Sequence, residues 1–169
     1  ERSRAAEDIV QEVRGLVETG YREITLLGQN VNSYGKDRTD SPDFPTLLEM
    51  LCAIEGDFTL RFMTSHPKDA SDKLLHVMTR EPKIARQFHL PLQSGSDRVL
   101  AAMNRKYTAE SYLSLLKRMR TLMPDITVSS DMIVGYPTET EEDFAQTLEV
   151  LREAEFDMIF SFIFSPRPG

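Results

Sequence analysis

Three polar side chains stand where apolar runs break off. Gln93 closes the run FHLPLQ, Arg105 follows a short helical segment, and Asp131 sits inside the apolar run ITVSSDMIV. A carboxylate among apolar neighbours needs a hydrogen-bond donor or a cation, so Asp131 points to a polar partner. In chains that alternate helix and strand, ligands gather at the carboxyl ends of strands. Residues 88–107, FHLPLQSGSDRVLAAMNRKY, therefore read as one side of a small-molecule cofactor site, with the other strands presenting their ends to the same place.

Several loops compete for the same description. GQNVNSYG (residues 28–35) is dense in Gly and Asn and also reads as an ordinary turn. Ser65 and His66 in TSHP stand at a strand end that Pro67 terminates. His66 and His89 have no carboxylate at helical spacing and no third partner for a metal, so both read as structural. The QSGS turn has backbone amides suited to phosphate, while Ser96 is equally placed to cap a helix. Arg105 also fits a plain surface charge.

The elements that must position these residues follow from periodicity. Residues 3–18 carry Ile9, Val10, Val13, Leu16 and Val17 on one helical stripe, which Gly20 ends. A strand over 23–27 leads into the Gly/Asn loop, and Leu47, Leu48, Leu51 and Ile54 mark a second helix. A strand over 58–63, a helix at Leu74, Leu75 and Met78, and a strand over 87–92 come next. Thr108 caps a long helix ended by Pro124, a strand covers 126–134, and Thr140 with Asp143 forms a capping-box pattern. The last strand covers 158–164. This alternation predicts an α/β fold of parallel strands with right-handed crossovers.

Strand parity sharpens the expectation. Phe58, Leu60 and Phe62 oppose Thr59, Arg61 and Ser65; Phe88, Leu90 and Leu92 oppose Gln87, His89 and Gln93. Ile126, Val128, Met132 and Val134 oppose Thr127, Ser129 and Asp131, and Met158, Phe160, Phe162 and Phe164 oppose Ser161 and Ser165. A packed barrel centre carries Val, Ile and Leu. A second face that is polar on all four strands predicts an open lumen around a polar ligand, or else a sheet with one solvated face.

With 169 residues, 40% hydrophobic and 28% charged, the chain has material for one domain or part of a larger one. Its net charge of −7 argues against a nucleic-acid grip spread over the whole surface. No apolar run approaches membrane-spanning length, so no membrane partner is expected. The single cysteine, Cys52, permits no internal disulfide and no Cys-rich cluster held by this chain alone, and it fits a reducing, cytoplasmic setting. Opening on a helix and closing on a strand suggests a segment of a longer protein.

In combination, ERSR, LLGQNVNSYG, RFMTSHP, HLPLQSGSDRVLAAMNRKY, SSDMIVGYPTETEEDF and FSFIFSPRPG resemble the methylthiotransferase branch of the radical S-adenosylmethionine enzymes. These segments run from end to end. GQNVN, TSHP and HLP-QSGS are most similar to the tRNA-modifying MiaB-type members. The resemblance implies a partial (β/α)6 barrel of six parallel strands, of which this chain supplies the second to the sixth, lacking the first strand and the cluster-binding loop. It implies addition of a methylthio group to C2 of an N6-isopentenyl-adenosine beside the tRNA anticodon. One S-adenosylmethionine yields a 5′-deoxyadenosyl radical that takes the C2 hydrogen, another gives the methyl group, and an auxiliary iron–sulfur cluster carries the sulfur.

The resemblance also assigns the cofactor contacts. Gln93 and Arg105 match residues that touch S-adenosylmethionine, Arg105 at the methionyl carboxylate. Asp131 matches an acid on the ribose hydroxyls, and Gln29 and Asn30 approach the methionyl amino group. Ser65, or its neighbour Thr64, ends the third strand, and Gly135 lets the backbone approach the adenine. No catalytic residue and no metal ligand is assigned within the chain; the ligands of two [4Fe–4S] clusters lie outside it, since Cys52 falls on a helix. The N-terminal auxiliary-cluster domain and the C-terminal TRAM domain also lie outside residues 1–169. The partners implied are the tRNA anticodon loop and a flavodoxin-type electron donor, with a monomeric full-length protein. Thr138 departs from the glycine many relatives carry there. Open alternatives are a sibling methylthiotransferase for another tRNA base or a ribosomal protein, and a non-catalytic nucleotide-binding barrel. The isolated segment is expected to be marginally stable because one sheet edge is exposed.

Overall fold

The α-helices that follow the first each begin where a short polar side chain takes up a free amide: Asp43, Ser71, Ser96, Thr108 and Thr140. The computed structural model describes residues 2–28, 30–63, 66–67 and 70–166. They form two compact units, Glu1–Phe88 and His89–Gly169.

In the first unit, α1 (Ala6–Glu18) ends at Thr19, and Gly20 follows with φ of +97°, the left-handed turn its sequence predicts. α2 (Phe44–Cys52) starts ahead of the leucine stripe that marks it. Asp43 accepts the Thr46 amide at 3.0 Å, and Pro45 is tolerated in a first turn, where its missing N–H is not needed. Lys73 of α3 (Asp72–Arg80) reaches the same Asp43 carboxylate at 2.8 Å, tying the two helices together. β1 (Glu23–Leu26) and β2 (Thr59–Phe62) pair in parallel, Glu23 beside Thr59 through Leu26 beside Phe62. Ile84 extends this ladder by one parallel bridge to Leu60. Leu60 and Phe62 are buried while Thr59 and Arg61 are partly exposed, as parity requires. Phe62 packs edge-on against Phe44 and Phe88, with centroids 5.2 and 5.5 Å away.

The second sheet runs β3 (Gln87–His89), β4 (Thr127–Val134), β5 (Met158–Ile163), and β4 and β5 pair in parallel. Its helices are α4 (Asp97–Ala102), α5 (Ala109–Leu122) and α6 (Glu141–Ala154). Both expected caps form. Thr108 and Ser111 make a reciprocal capping box on α5, and Thr140 and Asp143 make another on α6. Val128, Ser130 and Met132 are buried, leaving Ser129 and Asp131 on the more open face.

Two expectations fail here. The strand predicted over 87–92 stops at His89, because Pro91 has no amide for a ladder and one extra residue intervenes before Gln93. Leu90 donates to the Ser129 carbonyl and Gln93 to that of Asp131, three residues against two, which is a bulge. Gln93 is thereby bridged to Met132 and is out of phase with His89, so alternation no longer places it on the Asp131 face. The second failure is on β5. Register sets Phe160 beside Asp131 and Ser161 beside Met132, so Ser161 lies on the opposite face from Asp131. The face shared with Asp131 is apolar on this strand. Parity within a strand shows two faces but not which one a neighbour's register selects.

Candidate functional site

The polar centre of the second unit is built on β3 and β4. Residues 129 and 131 point to one face of β4, and His89 lies between them on the adjacent strand. Its Nδ1 is 2.9 Å from Ser129 Oγ, and its Nε2 is 3.5 Å from Asp131 Oδ2. Phe160 stands edge-on to the imidazole, its centroid 6.2 Å away. The carboxylate predicted to need a partner therefore has one in His89, which sequence reasoning had treated as structural.

The segment after β3 is held in place by two tyrosines. Tyr107 donates to the Leu92 carbonyl at 2.9 Å and to that of Pro91 at 3.2 Å, and Tyr112 donates to that of Leu90 at 2.5 Å. Burial pushes the Tyr107 phenol up to about 12 and raises that of Tyr112 further still, so both stay neutral donors near neutral pH. They satisfy carbonyls that the broken strand leaves without a ladder. Gln93 itself takes φ of +76°, a left-handed conformation rare for a residue with a side chain. Its amide donates to the Asp131 carbonyl at 2.8 Å and its carbonyl accepts from Ile133 at 2.9 Å, and these bonds hold it there.

The QSGS turn lies hard against α6. A Cβ at Gly95 would meet the Thr147 Cα at 2.5 Å, and the Gly95 amide donates to Thr147 Oγ1 at 2.9 Å. Ser96 caps α4 and also donates to Asp143 at 2.6 Å. Asp143 is buried, pairs with Arg98, and accepts from the Thr140 amide. Arg98 and these hydrogen bonds hold its carboxyl far below the ordinary range. Ser96 thus serves as a helix cap and as a link between helices. The Arg98–Asp143 pair went unread because in sequence Asp143 shows only as half of a capping box.

Arg105 and Gly135 carry the openings. The Arg105 amide is fixed to the Leu100 carbonyl at 2.8 Å, but its Nε is buried without a hydrogen-bond partner. Gly135 takes φ of +71° with nothing within 4 Å of a would-be Cβ. Its amide donates to Glu139 Oε2 at 2.6 Å, whereas Oε1 of Glu139 is buried without a partner. Both unpartnered atoms suit a polar ligand, and that of Glu139 lies beside Gly135 at the carboxyl end of β4.

In the first unit Asn30 precedes a 3-10 turn, Val31–Ser33, and its carbonyl accepts from the Ser33 hydroxyl at 2.8 Å. The N-terminal segment is tied to the same loop: the Ser3 amide donates to Asp37 at 2.8 Å and the Tyr34 hydroxyl to the Arg4 carbonyl at 2.7 Å. A cavity of about 600 Å³ is lined here by Arg2, Gly28, Asn30 and Tyr34 among others. Gln29, Thr64 and Ser65 lie outside the described residues. Cys52 ends α2, buried, its thiol pushed up to about 11 by burial, and is unsuited to act as a thiolate ligand. Among the described residues no helix is long and apolar enough to cross a membrane.

The profile of the radical SAM superfamily matches residues 1–151. The chain belongs to that superfamily. Solved radical SAM enzymes share its fold. The radical S-adenosylmethionine methyltransferase TsrM from Kitasatospora setae, described with cobalamin and a [4Fe–4S] cluster bound, matches with a TM-score of 0.74, at 14% identity, over 95% of this chain and 31% of that one. Coproporphyrinogen III oxidase from Escherichia coli matches with a TM-score of 0.67, at 19% identity, over 96% of this chain and 38% of that one. Among curated proteins, the tRNA-2-methylthio-N(6)-dimethylallyladenosine synthases of Thermotoga petrophila and Clostridium novyi are each 53% identical over all 169 residues. The chain spans 38% and 37% of their lengths. Radical SAM membership implies S-adenosylmethionine and a [4Fe–4S] cluster as cofactors, and the unpartnered atoms of Arg105 and Glu139 fit the former.

Proposed function

We propose that the chain is the core segment of a tRNA methylthiotransferase that modifies C2 of N6-isopentenyl-adenosine next to the anticodon. The observation that carries this reading is 53% identity, over the 169 residues of the chain, to a tRNA-2-methylthio-N(6)-dimethylallyladenosine synthase. Residues 1–169 then supply the second to sixth strands of the radical SAM core, with the auxiliary-cluster and TRAM domains contributed by the rest of the protein.

In this reading Arg105 binds the methionyl carboxylate, its buried Nε supplying a donor that the protein leaves unmatched. Asp131 accepts from the ribose hydroxyls while His89 holds its orientation. Gln93 borders the same ligand from a backbone locked on both sides by β4. Gly135 offers an approach to the adenine that a side chain would block. Gln29, Asn30 and Ser65 complete the set of cofactor contacts that the family resemblance assigns. When bound, S-adenosylmethionine supplies the radical that takes the C2 hydrogen and the methyl group of the product. Two [4Fe–4S] clusters are held by cysteines outside this chain, a flavodoxin-type donor provides electrons, and the full protein works as a cytoplasmic monomer.

The test is anaerobic turnover of the full-length, cluster-loaded protein with an anticodon stem-loop carrying N6-isopentenyl-adenosine. Mass spectrometry of the digested RNA is expected to show the 2-methylthio product. Its absence, with a ribosomal protein or another tRNA base modified instead, would overturn the substrate.

A further inference from the structure

The strand that broke the parity expectation points to a specificity surface. Register with β4 puts Met158, Phe160 and Phe162 on the face that carries Ser129, Asp131 and Ile133. All three are large, apolar and open to solvent, at 55%, 45% and 55% exposure. On β3 and β4 the same face is polar at His89, Ser129 and Asp131. The surface is continuous, since the Phe160 ring abuts the His89 imidazole. One sheet face thus runs from a hydrogen-bonding half into an aromatic half.

We propose that the Met158–Phe160–Phe162 face receives the substrate base and its N6 prenyl tail, and so selects prenylated over plain adenosine. This rests on the function proposed above. Two aromatic rings two residues apart on a strand suit stacking by a flat base, which needs no base-specific hydrogen bond. A branched five-carbon tail gains by leaving water against Phe and Met. The RNA backbone is a poor occupant here: β5 carries no Lys or Arg, and the carboxylate of Asp131 lies alongside. Ile159 and Ile163 face the other way and take no part.

The experiment uses the full-length, cluster-loaded protein with Phe160→Ser and Phe162→Ser variants. Two anticodon stem-loops are titrated, identical except that one carries N6-isopentenyl-adenosine and the other adenosine. The wild type is expected to prefer the prenylated RNA. Each variant should lose roughly tenfold of that preference, with unchanged S-adenosylmethionine affinity, and Phe162→Leu should keep most of it. Variants that retain the preference within twofold overturn the inference while leaving the function standing, provided the wild type still makes the 2-methylthio product. Variants that lose S-adenosylmethionine binding in parallel mark a structural role and overturn it as well. A dimer that dissolves in the variants would assign the face to a second copy. A wild type that neither prefers nor modifies the prenylated RNA removes both readings.

Discussion

His89 Nε2 stands 3.5 Å from Asp131 Oδ2 while its Nδ1 is in full hydrogen-bond contact with Ser129. At that separation the imidazole orients the carboxylate without using up its acceptor capacity. Asp131→Ala and Arg105→Ala in the full-length protein should each weaken S-adenosylmethionine binding. Hydrogen bonds to charged groups are worth about 1.5–3 kcal/mol, or roughly ten- to a hundredfold in affinity. Calorimetry reads this directly, and unchanged affinity in both variants would remove the site assignment.

Gly95 is required by contact rather than by conformation. Its would-be Cβ meets backbone atoms, Thr147 Cα at 2.5 Å and the Gln146 carbonyl oxygen at 2.9 Å, and neither can swing aside. Gly95→Ala should destabilise by about 1–3 kcal/mol, as overpacking does. Denaturant unfolding should show the loss, whereas Gly15→Ala, with nothing within 4 Å, should show none.

Thr138 has φ of +76°, a left-handed conformation that a β-branched side chain adopts at a cost of about 1–2 kcal/mol. The bond from Arg98 to its carbonyl survives substitution there, and only the long, exposed 3.4 Å contact from Arg98 to its hydroxyl is lost. After the greater unfolded-state freedom of glycine is subtracted, Thr138→Gly should stabilise by about 0.5–1 kcal/mol. A melting temperature at or below that of the wild type would show that the turn carries no such strain.

Asp143 ties acid stability to the QSGS turn. Its folded pKa lies below the ordinary 3.8, so the carboxylate stabilises the fold fully above that value. The contribution is lost as pH falls from 3.8 toward the folded pKa. Asp143→Asn should be less stable at neutral pH and flatter in its pH dependence below 4, with the two melting curves converging in acid. Parallel curves would assign acid unfolding to other carboxylates, among them Asp43, whose pKa is also lowered by Lys73 and Thr46.

Local chemistry was legible in the chain. Thr108 and Thr140 cap helices, Gly20 turns left-handed, and leucine stripes bury, because each depends on residues within one or two turns of itself. Asp131 could be singled out as a carboxylate needing a partner, and the order of the short motifs pointed to the superfamily that the profile match bears out.

What tertiary structure decided is register and partnership. A bulge after His89 needs the spacing of β4 beside it, so Gln93 lost the phase that alternation assigned. The polar face assumed for the last strand became an apolar one when pairing set Phe160, not Ser161, beside Asp131. Arg98 met Asp143 and His89 met Asp131 across more than forty residues each. A sequence by itself determines which side chains share one face of a strand or helix, because that follows from backbone geometry. Which face turns toward which neighbour depends on hydrogen bonds between distant segments, and only the folded chain fixes those.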